Sequence, residues 1–203
     1  MLSDSPVCDF RFLGRGWLLK RDDLLDPELN GNKARKLYTF AANGFGADTV
    51  ISYGGAQSNA MYSLSALAKK QNAEFIYYAK KLPDTLRHNP DGNLAAALEN
   101  GMKLVELEHK AYDETISNLL NSQPEGAILI RQGGADEYAK EGVRMLADEL
   151  NDYAKSHALK NPIAVLSAGT GTTAGYLSEY LDFECVCVPA VSDALFLRRE
   201  FER

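Results

Sequence analysis

Five short apolar runs, at Thr49 to Tyr53, Ala73 to Ala79, Met102 to Leu107, Ala127 to Ile130 and Ile163 to Leu166, restrict what this chain can fold into. Each is nearly continuous and bounded by Gly, Pro or polar residues, the pattern of a parallel strand buried on both faces. Between them apolar residues keep helical spacing, as with Met61, Leu64, Leu67 and Ala68 after the first run and Val143, Leu146, Ala147 and Leu150 after the fourth. Strand and helix alternating in this way means βαβ units, so the fold class is α/β, with open parallel sheets and flanking helices. Lys80 to Gly92, with Pro83 and Pro90, is the least regular connection and reads as a loop. The polar stretch from Asn151 to Asn161 is the natural place for a crossover between domains.

Composition narrows the function. With 203 residues, 45% of them hydrophobic and 25% charged, the chain can bury a core. A net charge of -6, with no basic run, argues against a nucleic-acid binder and for a small-molecule ligand. Cys8, Cys185 and Cys187 are an odd number without CxxC spacing, which supports neither a disulfide framework nor a zinc site. Cys185 and Cys187 are expected on one face of a strand as small buried residues. His88, His109 and His157 are scattered, so no metal is expected. No segment has the apolar length of a membrane span and the first residues lack a signal-peptide pattern, so the expected location is the cytoplasm.

In open α/β sheets ligands bind beyond the carboxyl ends of the strands, which directs attention to the residues after each apolar run. Gly54-Gly55-Ala56-Gln57-Ser58-Asn59 follows the first run directly and precedes a helix. Its glycines allow a tight turn, and free amides at the helix start favour an anion such as a carboxylate. The plain alternative is a capped helix, with Ser58 or Asn59 satisfying first-turn amides. Ser167-Ala168-Gly169-Thr170-Gly171-Thr172-Thr173-Ala174-Gly175 follows the fifth run and reads as a phosphate cradle of backbone amides and hydroxyls. It lacks the GK[ST] ending of a Walker loop and is no clean GxGxxG fingerprint. Gly133-Gly134 reads equally as a further wall of that cleft or as an ordinary turn.

Upstream, Pro27 and Asn30-Gly31 lead into Asn32-Lys33-Ala34-Arg35-Lys36-Leu37. Ala34, Leu37, Tyr38 and Ala41 recur at i, i+3, i+4 and i+7, predicting one amphipathic helix with Lys33, Lys36 and Phe40 on a neighbouring face. A lysine in a first helical turn feels the positive end of the dipole, and partial burial acts the same way; both disfavour its charge and free the amine as a nucleophile. The plain alternative is a solvated lysine.

Lys20-Arg21-Asp22-Asp23-Leu24, Gly31 to Leu37, Gly54 to Asn59 and Ser167 to Gly175, in this order, resemble the 1-aminocyclopropane-1-carboxylate deaminase and D-cysteine desulfhydrase family. This family belongs to the tryptophan-synthase-β-like, fold type II pyridoxal 5'-phosphate (PLP) enzymes. The resemblance runs from about Trp17 to Asp193 and implies a two-domain scaffold, with a smaller βα domain at residues 45–154 inserted into a larger PLP-binding domain formed by residues 1–44 and 155–203. It implies that Lys33 is the Schiff-base lysine and that Lys36 lies near the phosphate. Asn59 would bond the cofactor's phenolic oxygen, and Gly169, Thr170, Gly171, Thr172 and Thr173 would hold the phosphate. Ser58 would contact the substrate carboxylate or take part in proton transfer, with Ser58, Asn59 and Ala60 forming the substrate-binding turn.

The implied activity is that of a lyase releasing sulfide from a D-cysteine-like amino acid, or of a hydrolase-type deaminase opening the cyclopropane substrate. The implied assembly is a homodimer. Where many family members continue after the Ser-Asn pair with a polar residue and an arginine, this chain has Ala60-Met61-Tyr62-Ser63. Family members also continue beyond the position of Arg203 and draw an active-site tyrosine and the pyridine-nitrogen partner from there. The expectation is therefore a larger domain lacking part of its sheet, and the rival reading is a catalytically incompetent chain that at most binds PLP or another phosphate ligand.

Overall fold

The computed structural model describes residues 4–29, 31–190 and 193–201. The chain opens with an antiparallel hairpin, β1 (Val7–Phe12) and β2 (Arg15–Lys20), followed by a 3-10 turn at Asp22–Leu24. Two short helices, α1 (Asn32–Lys36) and α2 (Tyr38–Asn43), stand where the periodicity predicts one. Leu37, at φ -99° and ψ 8°, breaks the helix between them. The break rotates the buried face, so Phe40 rather than Ala41 enters the core beside Leu37. The expected turn residue Asn30 lies outside the described residues.

A four-stranded parallel sheet follows, built from β3 (Thr49–Tyr53), β4 (Glu74–Lys80), β5 (Lys103–Leu107) and β6 (Ala127–Leu129) in the order β5-β4-β3-β6. The helices between its strands are α3 (Asn59–Lys70), α4 (Asp84–His88), α5 (Gly92–Glu99) and α6 (His109–Asn121). Adjacent residues of β3 enter opposite cores. Val50 packs with Met61 and Leu64 of α3 and Leu94 and Ala97 of α5, while Ile51 packs with Tyr112, Ile116 and Leu119 of α6. Both faces are covered, which is why the strands read as unbroken apolar runs. Residues 80–92 are not a plain loop: α4 forms there, and its Arg87 is held by Glu106 at the end of β5.

The chain continues through α7 (Ala139–Ser156), β7 (Ile163–Ala168), α8 (Thr172–Tyr180), β8 (Glu184–Pro189) and α9 (Ala194–Phe201). The polar stretch expected as a crossover is largely helix, since α7 runs on to Ser156. Asn151 is buried within it, donating to Tyr180 O at 2.9 Å and accepting from Asp182 N at 2.9 Å. Val143, Leu146 and Ala147 of α7 and Leu177 of α8 cover one face of the parallel β7–β8 pair. The other face is open: Ile163, Val165, Val186 and Val188 are 55%, 56%, 38% and 52% exposed. The fifth apolar run is thus buried on one face only. Cys185 and Cys187 do share a face, but both are half-buried. Among the described residues, no helix is long and apolar enough to cross a membrane, and no three His, Cys, Asp or Glu side chains gather as metal ligands.

Candidate active site

α1 is held from behind by a buried ionic cluster. Arg35, fully buried, donates to Glu149 of α7 at 2.6 and 2.7 Å and to Asp22 at 2.9 and 3.2 Å. Lys20 adds a 2.5 Å contact to Glu149, and Ser5 donates to Asp22 at 2.6 Å. The Lys20-to-Asp23 sequence therefore positions α1 from the far side. α7 crosses so close that a Cβ at Gly142 would overlap the Arg35 carbonyl oxygen.

Lys33 extends from this anchored turn. It is half-buried, and burial lowers its ammonium pKa below the usual 10.5, which favours the free amine. With only five residues in α1, the helix dipole expected to assist is short, and burial supplies the shift. Lys33 Nζ donates to Asn32 Oδ1 at 3.0 Å, and Asn32 Nδ2 donates to Thr173 Oγ1 at 3.1 Å. The lysine is thereby linked to the first turn of α8, a contact across 141 positions.

Lys36 is buried one turn further on. Burial, reinforced by the neighbouring Lys33 charge and opposed by Asp136, pushes its ammonium down to about 7. Its Nζ donates to Gly133 O at 2.6 Å. Asp136 is raised by burial, against a backbone bond from Arg131. A Cβ at Gly133 would lie 2.9 Å from Thr170 Cγ2, so the turn after β6 touches the loop after β7. Gly133-Gly134 thus lies against both Lys36 and Thr170.

In that loop Gly171 has φ 77°, a left-handed conformation suited to glycine, and starts α8 with no side-chain cap. The leading amides of an uncapped helix remain available to an anion. Thr170 and Thr172 hydroxyls lie 3.0 Å apart at the same end, while the buried Thr173 is engaged with Asn32. Leu197 and Phe201 of α9 pack against Gly171.

The turn after β3 adjoins the turn after β6. A Cβ at Gly54 would lie 2.8 Å from Tyr77 Oη and 3.1 Å from Gln132 Cγ, so this turn abuts the residue preceding Gly133. Tyr77 is buried; its hydroxyl donates to Gly55 O at 3.1 Å, and burial, partly offset by the neighbouring Ser58, holds its pKa well above the usual 10.0. Ser58 also caps α3, accepting from Met61 N at 3.4 Å, a long and weak bond. Asn59 is exposed, whereas the Ala60 side chain is 2% exposed and packs inward, leaving only its backbone for a ligand.

Sequence reasoning missed Tyr77 and the pair Asp91 and Asn93. Gln57 Nε2 donates to Asp91 Oδ1 at 2.9 Å, and Asn93 Nδ2 donates to Gln57 O at 3.0 Å and to Asn59 Oδ1 at 2.7 Å. The Asp-Gly-Asn sequence after Pro90 is a turn signal that could have placed a helix start there, but not its contact with Asn59.

No family model matches the chain. Over 173 residues it is 29% identical to D-cysteine desulfhydrase of Serratia proteamaculans (strain 568), an alignment covering 81% of this chain and 52% of the relative. The structure superposes on that of an ACC deaminase homologue with a TM-score of 0.72 at 23% identity, covering 98% of this chain and 66% of the other. The fold is that of the type II PLP enzymes. Diaminopropionate ammonia lyase from Escherichia coli, in complex with an aminoacrylate-PLP azomethine reaction intermediate, aligns with a TM-score of 0.61 at 16% identity, over 92% of this chain and 54% of the lyase. The chain spans about half the length of the curated relative it matches. Within that span the Gly133 turn meets the lysine turn through Lys36, the Gly54 turn through Gln132 and the loop after β7 through Thr170.

Proposed function

We propose that this chain carries the lysine and phosphate-binding portion of a PLP-dependent lyase or deaminase acting on a small amino acid. The observation that carries this reading is the link from half-buried Lys33 through Asn32 to Thr173 at the uncapped start of α8. A reactive amine and an anion site are tied together at fixed spacing, as a ligand with an aldehyde at one end and a phosphate at the other requires. Similarity to D-cysteine desulfhydrase points to the same cofactor.

The residues present fit PLP. Lys33 would hold it covalently, the loop from Gly169 to Thr172 and the α8 amides would take its phosphate, and Lys36 would balance the charge. Asn59 would donate to its phenolic oxygen. When bound, PLP supplies an electron sink for negative charge developing on the substrate's α-carbon. The protein supplies orientation and proton transfer. Lys33 Nζ, whose ammonium form burial disfavours, would take or return the proton at the α-carbon. Ser58 and the first amides of α3, including that of Ala60, receive the substrate carboxylate, with the Ser58 hydroxyl steadied by Tyr77. A D-cysteine-like substrate would give sulfide, pyruvate and ammonia; the cyclopropane substrate would give 2-oxobutanoate and ammonia. The arrangement of residues 45–154 as a smaller domain within a larger one and a homodimeric assembly belong to the same reading, supported by the family resemblance, and a cytoplasmic location is the sequence expectation that goes with it.

The test is to add PLP to the purified chain, trap with borohydride, map the labelled peptide, and assay sulfide from D-cysteine and 2-oxobutanoate from the cyclopropane amino acid. A label on Lys33 with product release supports the reading. No label, or a label spread over surface lysines, overturns it.

A further inference from the structure

Two polar side chains at the Gly54 turn and the α5 start, Gln57 and Asn93, are oriented by backbone groups whose roles are fixed, and Asn93 in turn orients Asn59. A backbone carbonyl can only accept, so the Asn93 side-chain atom 3.0 Å from Gln57 O is the amide nitrogen. The same nitrogen lies 2.7 Å from the Asn59 side chain, so the Asn59 atom it meets is the oxygen, Oδ1. Asn59 Nδ2 is then the end left over, and among the described residues it has no hydrogen-bond partner. Gln57 is fixed in the same way: its Oε1 accepts from the Asn93 backbone amide at 3.0 Å, and its Nε2 donates to Asp91 O at 3.2 Å and Asp91 Oδ1 at 2.9 Å. Gly92 lies between them at φ 53°, where a Cβ would come within 2.9 Å of Gln57 Oε1. The Asn59 and Asn93 amides thus meet oxygen to nitrogen, which leaves the Asn59 nitrogen directed away from Asn93.

We propose that Asn93 is a positioning residue that fixes the Asn59 amide with its nitrogen as the ligand-facing group, so that the cleft offers a hydrogen-bond donor, and no acceptor, to an ionised aryl oxygen of the ligand. This rests on the PLP reading, in which that oxygen is the phenolic oxygen of the cofactor. An amide free to turn over would present Oδ1 to an oxygen that is itself an acceptor, losing the bond and adding repulsion. Asn93 makes that turnover unfavourable because its own nitrogen would then face the Asn59 nitrogen, donor against donor. Asn93 touches no ligand in this scheme and acts through Asn59.

The test compares Asn93→Asp and Asn93→Ala, alone and in an Asn59→Ala background. PLP dissociation constants and the pH midpoint of the bound cofactor's visible band are measured for each, with thermal unfolding of the PLP-free proteins as a control for folding. The carboxylate introduced by Asn93→Asp can only accept, so it turns the Asn59 amide around. Asn93→Asp is therefore expected to weaken PLP binding by about tenfold or more and to shift the band's pH midpoint, with Asn93→Ala losing less. In the Asn59→Ala background the difference between the two substitutions should vanish. If Asn93→Asp is no worse than Asn93→Ala, or if the difference persists without Asn59, Asn93 is merely structural and the proposal is overturned. If the unsubstituted protein takes up no PLP on Lys33, the cofactor reading itself fails and the proposal with it, an outcome distinguished before any variant is made.

Discussion

Lys36 Nζ donates to the Gly133 carbonyl oxygen at 2.6 Å, placing a buried ammonium where the lysine turn and the turn after β6 meet the Thr170 loop. Burial brings its pKa down to about 7 from the usual 10.5. Between these two values the unfolded chain binds a proton at Lys36 that the folded chain does not, so its contribution to stability rises with pH across that window. Denaturant unfolding from about pH 7 to 10 should show this rise in the unsubstituted protein, and Lys36→Met should flatten it. A bound phosphate restores the ammonium, so binding of inorganic phosphate or PLP near pH 8 should take up a proton. Calorimetry in two buffers of different ionisation enthalpy measures this, and no uptake would separate Lys36 from the phosphate.

Arg35 should be the costliest polar residue to remove. Its loss leaves Asp22 and Glu149 facing each other in a buried site, so Arg35→Met is expected to cost about 3 to 5 kcal/mol, read from the denaturant midpoint. Burial acts to raise the Glu149 carboxyl, but hydrogen bonds from Arg35 and Lys20 outweigh it and hold the pKa below the usual 4.5. A carboxyl depressed on folding contributes stability above its unfolded pKa and loses it as pH falls through the folded one. Unfolding below about pH 4.5 should therefore be shallower in Glu149→Gln than in the unsubstituted protein.

Asn32→Ala should separate positioning from folding. The substitution breaks the Lys33–Asn32–Thr173 link at an exposed residue, so stability should change by only about 1 kcal/mol or less. Borohydride-trapped PLP on Lys33 should fall several-fold. Equal labelling in the variant would show that the link does not hold the lysine in register with the phosphate loop.

The open face of β7 and β8 carries four apolar side chains, and contiguous exposed apolar surface favours association. Val165→Thr with Val188→Thr should raise the concentration at which light scattering detects aggregates while shifting the midpoint of unfolding little. A large loss of stability would show instead that these valines are packed in the folded protein.

The strand runs were legible because α3 and α5 on one side and α6 on the other bury both faces of the four-stranded sheet, leaving no polar alternation to confuse the pattern. The helices within residues 80–92 and 151–161 were not legible for a related reason. The helix at Asp84–His88 is fixed by Arg87 reaching Glu106, and the end of α7 by Asn151 reaching the chain after α8. Neither contact leaves a local periodic trace. The single helix expected after Gly31 failed at Leu37, since spacing alone does not show which of Phe40 and Ala41 the core has room for.

By itself, the sequence determined the βα order, the glycine-rich turns at the strand ends and the presence of Lys33, Lys36, Ser58, Asn59 and Thr170 to Thr173, because these depend on local chain geometry and side-chain chemistry. Only the tertiary structure decided how those groups are poised. Burial lowers the two lysine pKa values, Asn32 joins Lys33 to α8, and Asn93 selects the donor end of Asn59. Desolvation and hydrogen-bond polarity are set by neighbours distant in sequence, as far as 141 positions for Asn32 and Thr173, and no local pattern of residues encodes them.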